Sequence, residues 1–96
     1  MPPVTLINPF EVPEDEGEEF VARWQEAADY MRRQEGFVST RLHRSLDPRA
    51  EFRFVNVAVW ESAEHFGRAV GTPEFRELAQ GMPYPAHPAL YESISG

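Results

Sequence analysis

Residues 52–61, FRFVNVAVWE, form the stretch whose reading decides the fold. At a period of two it places Phe52, Phe54, Asn56, Ala58 and Trp60 on one face and Arg53, Val55, Val57 and Val59 on the other. Both faces are largely apolar, which predicts a strand covered on both sides. One amide, Asn56, interrupts the aromatic face, with Trp60 on the same side two pleats on. An amide facing a covered surface needs hydrogen-bond partners, from the protein or from something bound.

Upstream, Phe37 to Leu46 reads as a strand, and Asp47-Pro48-Arg49-Ala50 has the chemistry of a turn. The two runs therefore form a hairpin. Before them, Glu16 to Gln34 carries Phe20, Trp24, Ala27, Ala28 and Met31 at spacings of three and four, a helical stripe. Acidic residues crowd its start, arginines close its end, and Gly36 is placed to stop it in a left-handed conformation. Val4 to Val12 reads as the first strand, with Val4, Leu6, Asn8 and Phe10 on one face and Pro9 removing one ladder donor.

Downstream of Trp60, Ser62 to Val70 is helical, with Ala63, Phe66, Ala69 and Val70 as its apolar positions. Gly71 breaks it, and Thr72-Pro73 restarts a helix whose buried side is Phe75, Leu78 and Ala79. A proline-rich loop, Gly81 to Pro88, precedes a last strand, Ala89 to Ser95. The order is β-α-β-β-α-β, the ferredoxin-like α+β pattern: a four-stranded antiparallel sheet with its helices on one face. Residues 1–96 read as one domain. The sheet's other face stays bare, and Val55, Val57 and Val59 on one strand with Val38, Thr40 and Leu42 on its neighbour make it apolar. Such a face marks an interface, so the chain is expected to pair sheet against sheet as a homodimer.

The totals narrow the function classes. Hydrophobic content of 42% is that of a folded domain. A net charge of −7, with all nine basic residues arginine, argues against nucleic acid as a partner. Without cysteine there is no disulfide, thiolate metal site or cysteine nucleophile. No run approaches a membrane span and no signal peptide is evident, which makes a cytoplasmic location the expectation.

Asn56 and Trp60, joined by Asn8 if the first and third strands are neighbours, suggest a pocket between sheet and helices. Its amides would orient a polar group while Trp60, Phe54, Phe10 and Trp24 stack on a flat ligand. On residue type alone, Trp24 and Phe10 read rather as core aromatics, and the amides equally as backbone-bonded. His87 sits in the proline loop, where it would guard a pocket mouth or simply lie on the surface. His65 reads as lying on a solvated helix face, and His43 reaches either a pocket or the dimer interface. None of the three histidines has metal-site spacing. Tyr84, with Tyr91 and Arg76, would hold an oxyanion or merely pack.

The chain resembles the antibiotic biosynthesis monooxygenase family, small dimeric α+β barrel proteins. The resemblance runs through VTLINPFEV, QEGFVSTRLHRSLD, FRFVNVAVWESAEHF, TPEFREL and HPALYE, and is most specific at Asn56-x-x-x-Trp60 followed by Glu61-Ser62 and Phe66. It implies oxidation of an anthrone, quinol or related aromatic polyketide by O₂ as co-substrate, with neither metal nor flavin. Asn56 and Trp60 match the residues implicated in catalysis, and Phe66 falls where some relatives carry a tyrosine. Asn8, Phe10, Trp24, Phe54, Phe66, Tyr84 and His87 are then the expected substrate-binding residues. The late arginine of those enzymes has no clear match, Arg76 being the nearest candidate.

The superfamily also holds haem-degrading monooxygenases, with an Asn on the first strand and a Trp and a His in the second helical region. Asn8 matches the first, but the other two positions fall on Ala69 and Ala79, which disfavours haem. A non-catalytic dimer that binds an aromatic metabolite, or an oxygen-independent cyclase, is the remaining alternative.

Overall fold

The computed structural model describes residues 2–96. Its elements are β1 (Val4–Phe10), α1 (Gly17–Arg32) after a single 3-10 turn at Glu14–Glu16, β2 (Phe37–Arg44), β3 (Phe54–Trp60), α2 (Ala63–Val70), α3 (Pro73–Gln80) and β4 (Ala89–Tyr91). The four strands form one antiparallel sheet in the order β2-β3-β1-β4. This is the ferredoxin-like arrangement, with the second helical segment broken into two.

The breaks have local causes. Ser62 and Thr72 cap α2 and α3, accepting from the backbone N–H of His65 and Phe75. Pro73 supplies the fixed φ of a first helical residue. Gly36 follows α1 at φ +88°, and a Cβ there would also run into the His65 ring. His65 is therefore packed against the α1–β2 turn, with Nδ1 2.7 Å from Ser62 Oγ, and not on a solvated face.

α3 is tied to α1 at both ends. Tyr30, almost fully buried, donates to Ala69 O at 2.7 Å and shares a hydrogen bond with Thr72 Oγ1. At the other end Arg23 Nη1 donates to Gly81 O at 3.0 Å.

Strand lengths and faces differ from expectation in specific ways. β1 ends at Phe10 and β3 begins at Phe54, while Phe52 lies outside the ladder against His87. β4 pairs only through Ala89–Tyr91, opposite Ile7 to Thr5 of β1. A bulge in β2, where Phe37 pairs with Trp60 and Ser39 with Val59, turns the strand over. Thr40 and Leu42 consequently sit on the helix side, and Val38, 53% exposed, stays outside. Ala63 is exposed, as is Ala79, while Phe75 and Leu78 are only half-buried: α3 rims a cavity instead of closing a core.

Overall extents of 40 × 35 × 16 Å describe one sheet under one layer of helices. On the outer face Val55, Val57 and Val59 are half-buried and Tyr91 is half-exposed, and no helix of the described residues packs there. No helix among the described residues is long and apolar enough to cross a membrane.

Candidate active site

On the helix side of the sheet, side chains fall into transverse rows. Arg44, Phe54 and Phe10 form one, followed by Leu42, Asn56 and Asn8. Next come Thr40, Ala58, Leu6 and Leu90, and finally Phe37, Trp60 and Val4. The bulky rows at the two ends build separate packed clusters. At one end Phe10 and Phe54 close on Phe20 of α1 at ring distances of 4.8 Å, with Trp24 and Tyr84 in the same cluster. At the other, Leu6, Ala58 and Trp60 pack with Ala69 of α2. Between them the sheet carries the short side chains of Asn8, Asn56 and Thr40, which leave space under the helices.

A cavity of about 490 Å³ fills that gap, within the size range of small-molecule sites. Its floor is Leu6, Asn8, Thr40, Asn56, Ala58 and Trp60; α1 supplies Trp24, Ala27, Ala28 and Met31, and α2 supplies Phe66 and Val70. Several lining residues are themselves exposed, namely Ala79 of α3 and Ala86, Pro88, Ala89 and Leu90 of the proline loop and β4. The mouth therefore lies between α3 and that loop. Among the described residues no charged side chain lines the cavity.

Its polar groups are few. Asn8 and Asn56 are direct register partners across β1 and β3, which sets their Cβ atoms roughly 5 Å apart on one face. Asn56 is 9% exposed, and its Oδ1 accepts from Thr40 Oγ1 at 2.6 Å. Asn8 Oδ1 is buried with no protein donor. An unpartnered buried acceptor costs about 1–3 kcal/mol, a deficit that a bound hydroxyl would remove.

The expected site residues sort by position. Asn8, Phe10, Trp24, Asn56, Trp60, Phe66 and Tyr84 all line the cavity. Trp60, 1% exposed, is held edge-on between Phe37 and Phe66 at 5.5 and 5.7 Å, so it presents a fixed wall rather than a free ring. Tyr84 is buried against Phe20, and its phenol donates to Glu16 Oε1 at 3.0 Å. Burial first, then that hydrogen bond and the charges of Glu16 and Glu19, raise its pKa above the ordinary phenol value, with Arg23 opposing. A neutral phenol already spent on a carboxylate is a poor oxyanion donor.

Two expected residues stand elsewhere. Phe54 lies beside Asn56 on the strand, but the start of α1 covers it through Phe20 and it belongs to the packed cluster. His87 points away from the cavity, with Nε2 2.7 Å from Glu11 Oε2 and its ring against Phe52 at 5.1 Å. Two backbone bonds, His87 N to Pro9 O and Glu11 N to Pro85 O, hold the loop in that orientation. His43 is exposed on β2 on the side away from the helices, so none of the three histidines lines the cavity. Arg76 is exposed on α3 and does not line it either. Among the described residues no cluster of three or more His, Cys, Asp or Glu could hold a metal ion.

Thr40 is the polar lining residue that alternation missed. Nothing in the run Phe37 to Arg44 announces the bulge that brings it inside.

A sequence model of the family described as antibiotic biosynthesis monooxygenase matches residues 3–81. Among solved structures, a protein of Shewanella loihica PV-4, given the provisional description of a monooxygenase, is 41% identical with a TM-score of 0.88. The match covers 99% of this chain and 97% of that one. SnoaB of Streptomyces nogalater, a cofactor-independent oxygenase, aligns over 100% of this chain and 97% of its own. It is 26% identical with a TM-score of 0.83, and an asparagine-to-alanine variant of it is 27% identical with a TM-score of 0.86. Among curated proteins no significant match is found.

Proposed function

The chain belongs to the antibiotic biosynthesis monooxygenase family, and we propose that it oxidises a flat, hydroxylated aromatic of the quinol or anthrone type with O₂, using neither metal nor flavin. The observation that carries this reading is the pair of amides, Asn8 and Asn56, set into the floor of an apolar, uncharged cavity. The description of SnoaB as cofactor-independent supports it.

The chemistry asks little of the protein. An anthrone methylene loses a proton to give a delocalised carbanion (its enolate), which passes one electron to O₂. The resulting radicals combine, forming the C–O bond of a peroxide. After protonation the peroxide loses water, so the CH₂ becomes C=O, one oxygen atom is retained and the other leaves as water. What the site must do is bind the ring system, hold its oxygen and stabilise the anion where water is scarce. In this reading Asn56 holds the substrate oxygen, Asn8 pairs with its hydroxyl form, and Trp60, Phe66 and Trp24 shape the slot for the rings. With the Tyr84 phenol neutral and bonded to Glu16, and no charged side chain among the described residues on the cavity wall, the first proton leaves through the mouth to solvent. Haem is disfavoured because Ala79 stands where an axial histidine would be expected and no histidine faces the cavity.

The test is oxygen uptake by metal-stripped protein with dithranol (an anthrone) and 1,4-naphthohydroquinone, beside Asn56→Ala. Uptake above the buffer rate that falls about 10²–10³-fold in the variant supports the reading. Binding of the same compounds with no uptake would replace it with a binding protein or an oxygen-independent cyclase.

We also propose that two copies pair through the outer sheet face. Val55, Val57 and Val59, flanked by Val38 and Tyr91, form an apolar surface that no helix of the described residues covers. Light scattering should give twice the chain mass of 11.0 kDa, and Val57→Asp should return it to one.

A further inference from the structure

An asparagine amide turns about its last torsion between two states, showing a cavity either its oxygen or its NH₂. At Asn56 the oxygen is the end that a neighbouring hydroxyl engages. Thr40, brought to the helix side by the bulge in β2, stands beside Ala58 and reaches diagonally along the sheet to Asn56 Oδ1 at 2.6 Å. The reverse orientation would leave Asn56 Oδ1 facing the cavity alongside the buried, unpartnered Asn8 Oδ1, two acceptors with no proton between them. With the oxygen tied to Thr40, the floor instead holds one donor, the Asn56 NH₂, next to one acceptor, the Asn8 Oδ1. No hydrogen bond joins the two amides directly, since Asn8 Oδ1 has no protein donor.

We propose that Thr40 is a positioning residue that fixes the Asn56 amide, so that the Asn56 NH₂ and Asn8 Oδ1 together read a single hydroxyl of the substrate. A hydroxyl accepts from the first and donates to the second, satisfying both. An ether or a carbonyl oxygen satisfies only Asn56. A carboxylate leaves Asn8 unpaired as well, and brings a charge into a cavity whose lining carries none to balance it. The inference rests on reading the cavity as the site of a hydroxylated aromatic and adds how that hydroxyl is selected.

The experiment is equilibrium dialysis of the full chain with 1-naphthol, 1-methoxynaphthalene and naphthalene, for wild type, Thr40→Val and Thr40→Ser. Wild type should prefer 1-naphthol over both other probes by about tenfold, the worth of one well-made buried hydrogen bond. Thr40→Val, similar in shape but without the hydroxyl, should bind naphthalene within about twofold of wild type and lose the preference. Thr40→Ser should restore it, which a merely structural role for Thr40 would not require. Thr40→Ala makes the same comparison if the valine variant does not fold. A preference for 1-naphthol that survives Thr40→Val and Thr40→Ala overturns the inference and leaves the proposed function standing. Wild-type protein that binds none of the three probes overturns the reading of the cavity, and this inference with it.

Discussion

Asn8 and Asn56 are direct partners across β1 and β3, and only one of them has its side-chain oxygen satisfied by the protein. Two amides abreast in the middle of a sheet interrupt the apolar packing that continues on either side of them. A core assembled for stability alone would carry hydrophobic side chains there. Under the proposed function the unsatisfied Asn8 oxygen is the acceptor a bound hydroxyl would satisfy.

Asn8→Leu tests that trade directly. Removing a buried unpaired acceptor and filling part of the cavity should stabilise the fold by about 1 kcal/mol. In a domain of this size that raises the melting temperature by roughly 4–8 °C. Oxygen uptake should fall in the same protein. A thermal melt and an oxygen electrode read the two effects, and a lowered melting temperature would contradict the structural half.

Trp60 separates packing from chemistry by substitution size. Trp60→Ala should cost about 3–5 kcal/mol, because the ring fills the space between Phe37 and Phe66. That is a large part of a typical domain's stability, so the variant should be partly unfolded by circular dichroism at 37 °C. Trp60→Phe should stay folded and melt at a lower temperature. Its turnover therefore reports on the site, where that of the alanine variant would not.

The pH dependence of turnover should belong to the substrate. The Tyr84 phenol on the cavity wall is held neutral and bonded to Glu16, so it is no base, and the proton lost is the substrate's own. Below the substrate's pKa, the logarithm of kcat should rise with pH at a slope of about one. Two substrates of different acidity should show midpoints displaced by that difference. A common midpoint for both would point to an enzymic base.

Tyr84 contributes the opposite kind of pH effect, on stability. Its folded-state pKa lies above the ordinary value of 10.0, so the folded protein retains a proton that the unfolded chain has begun to lose. The contribution is complete below pH 10 and declines as pH rises through the folded pKa. Urea midpoints measured between pH 9 and 12 should fall over the upper part of that range, and Tyr84→Phe should flatten the fall attributable to this residue.

The elements themselves were largely legible. The period-two run through Asn56 and Trp60, the α1 stripe, the Gly36 stop and the Thr72-Pro73 start each depend on backbone preferences of neighbouring residues, and all appear as expected. Pairing β1 with β3 then made the Asn8–Asn56 proximity foreseeable. Alternation failed at β2, where a bulge reversed the strand's faces and moved Thr40 and Leu42 inward. It also could not distinguish Phe54 from Asn56, two residues apart on one face, although the first is sealed by Phe20 and the second opens onto the cavity.

The sequence by itself determined the order of strands and helices, the apolar faces of all but β2, and the two amides, because these follow from periods and caps within a few residues. Only the tertiary structure decided that the core divides into two clusters with a cavity between them. It alone tied Asn56 Oδ1 to Thr40, engaged Tyr84 with Glu16 and turned His87 outward to Glu11. Those are contacts between residues 16 to 76 positions apart, and they depend on register, on one bulge and on the route of one loop, none of which local preference specifies.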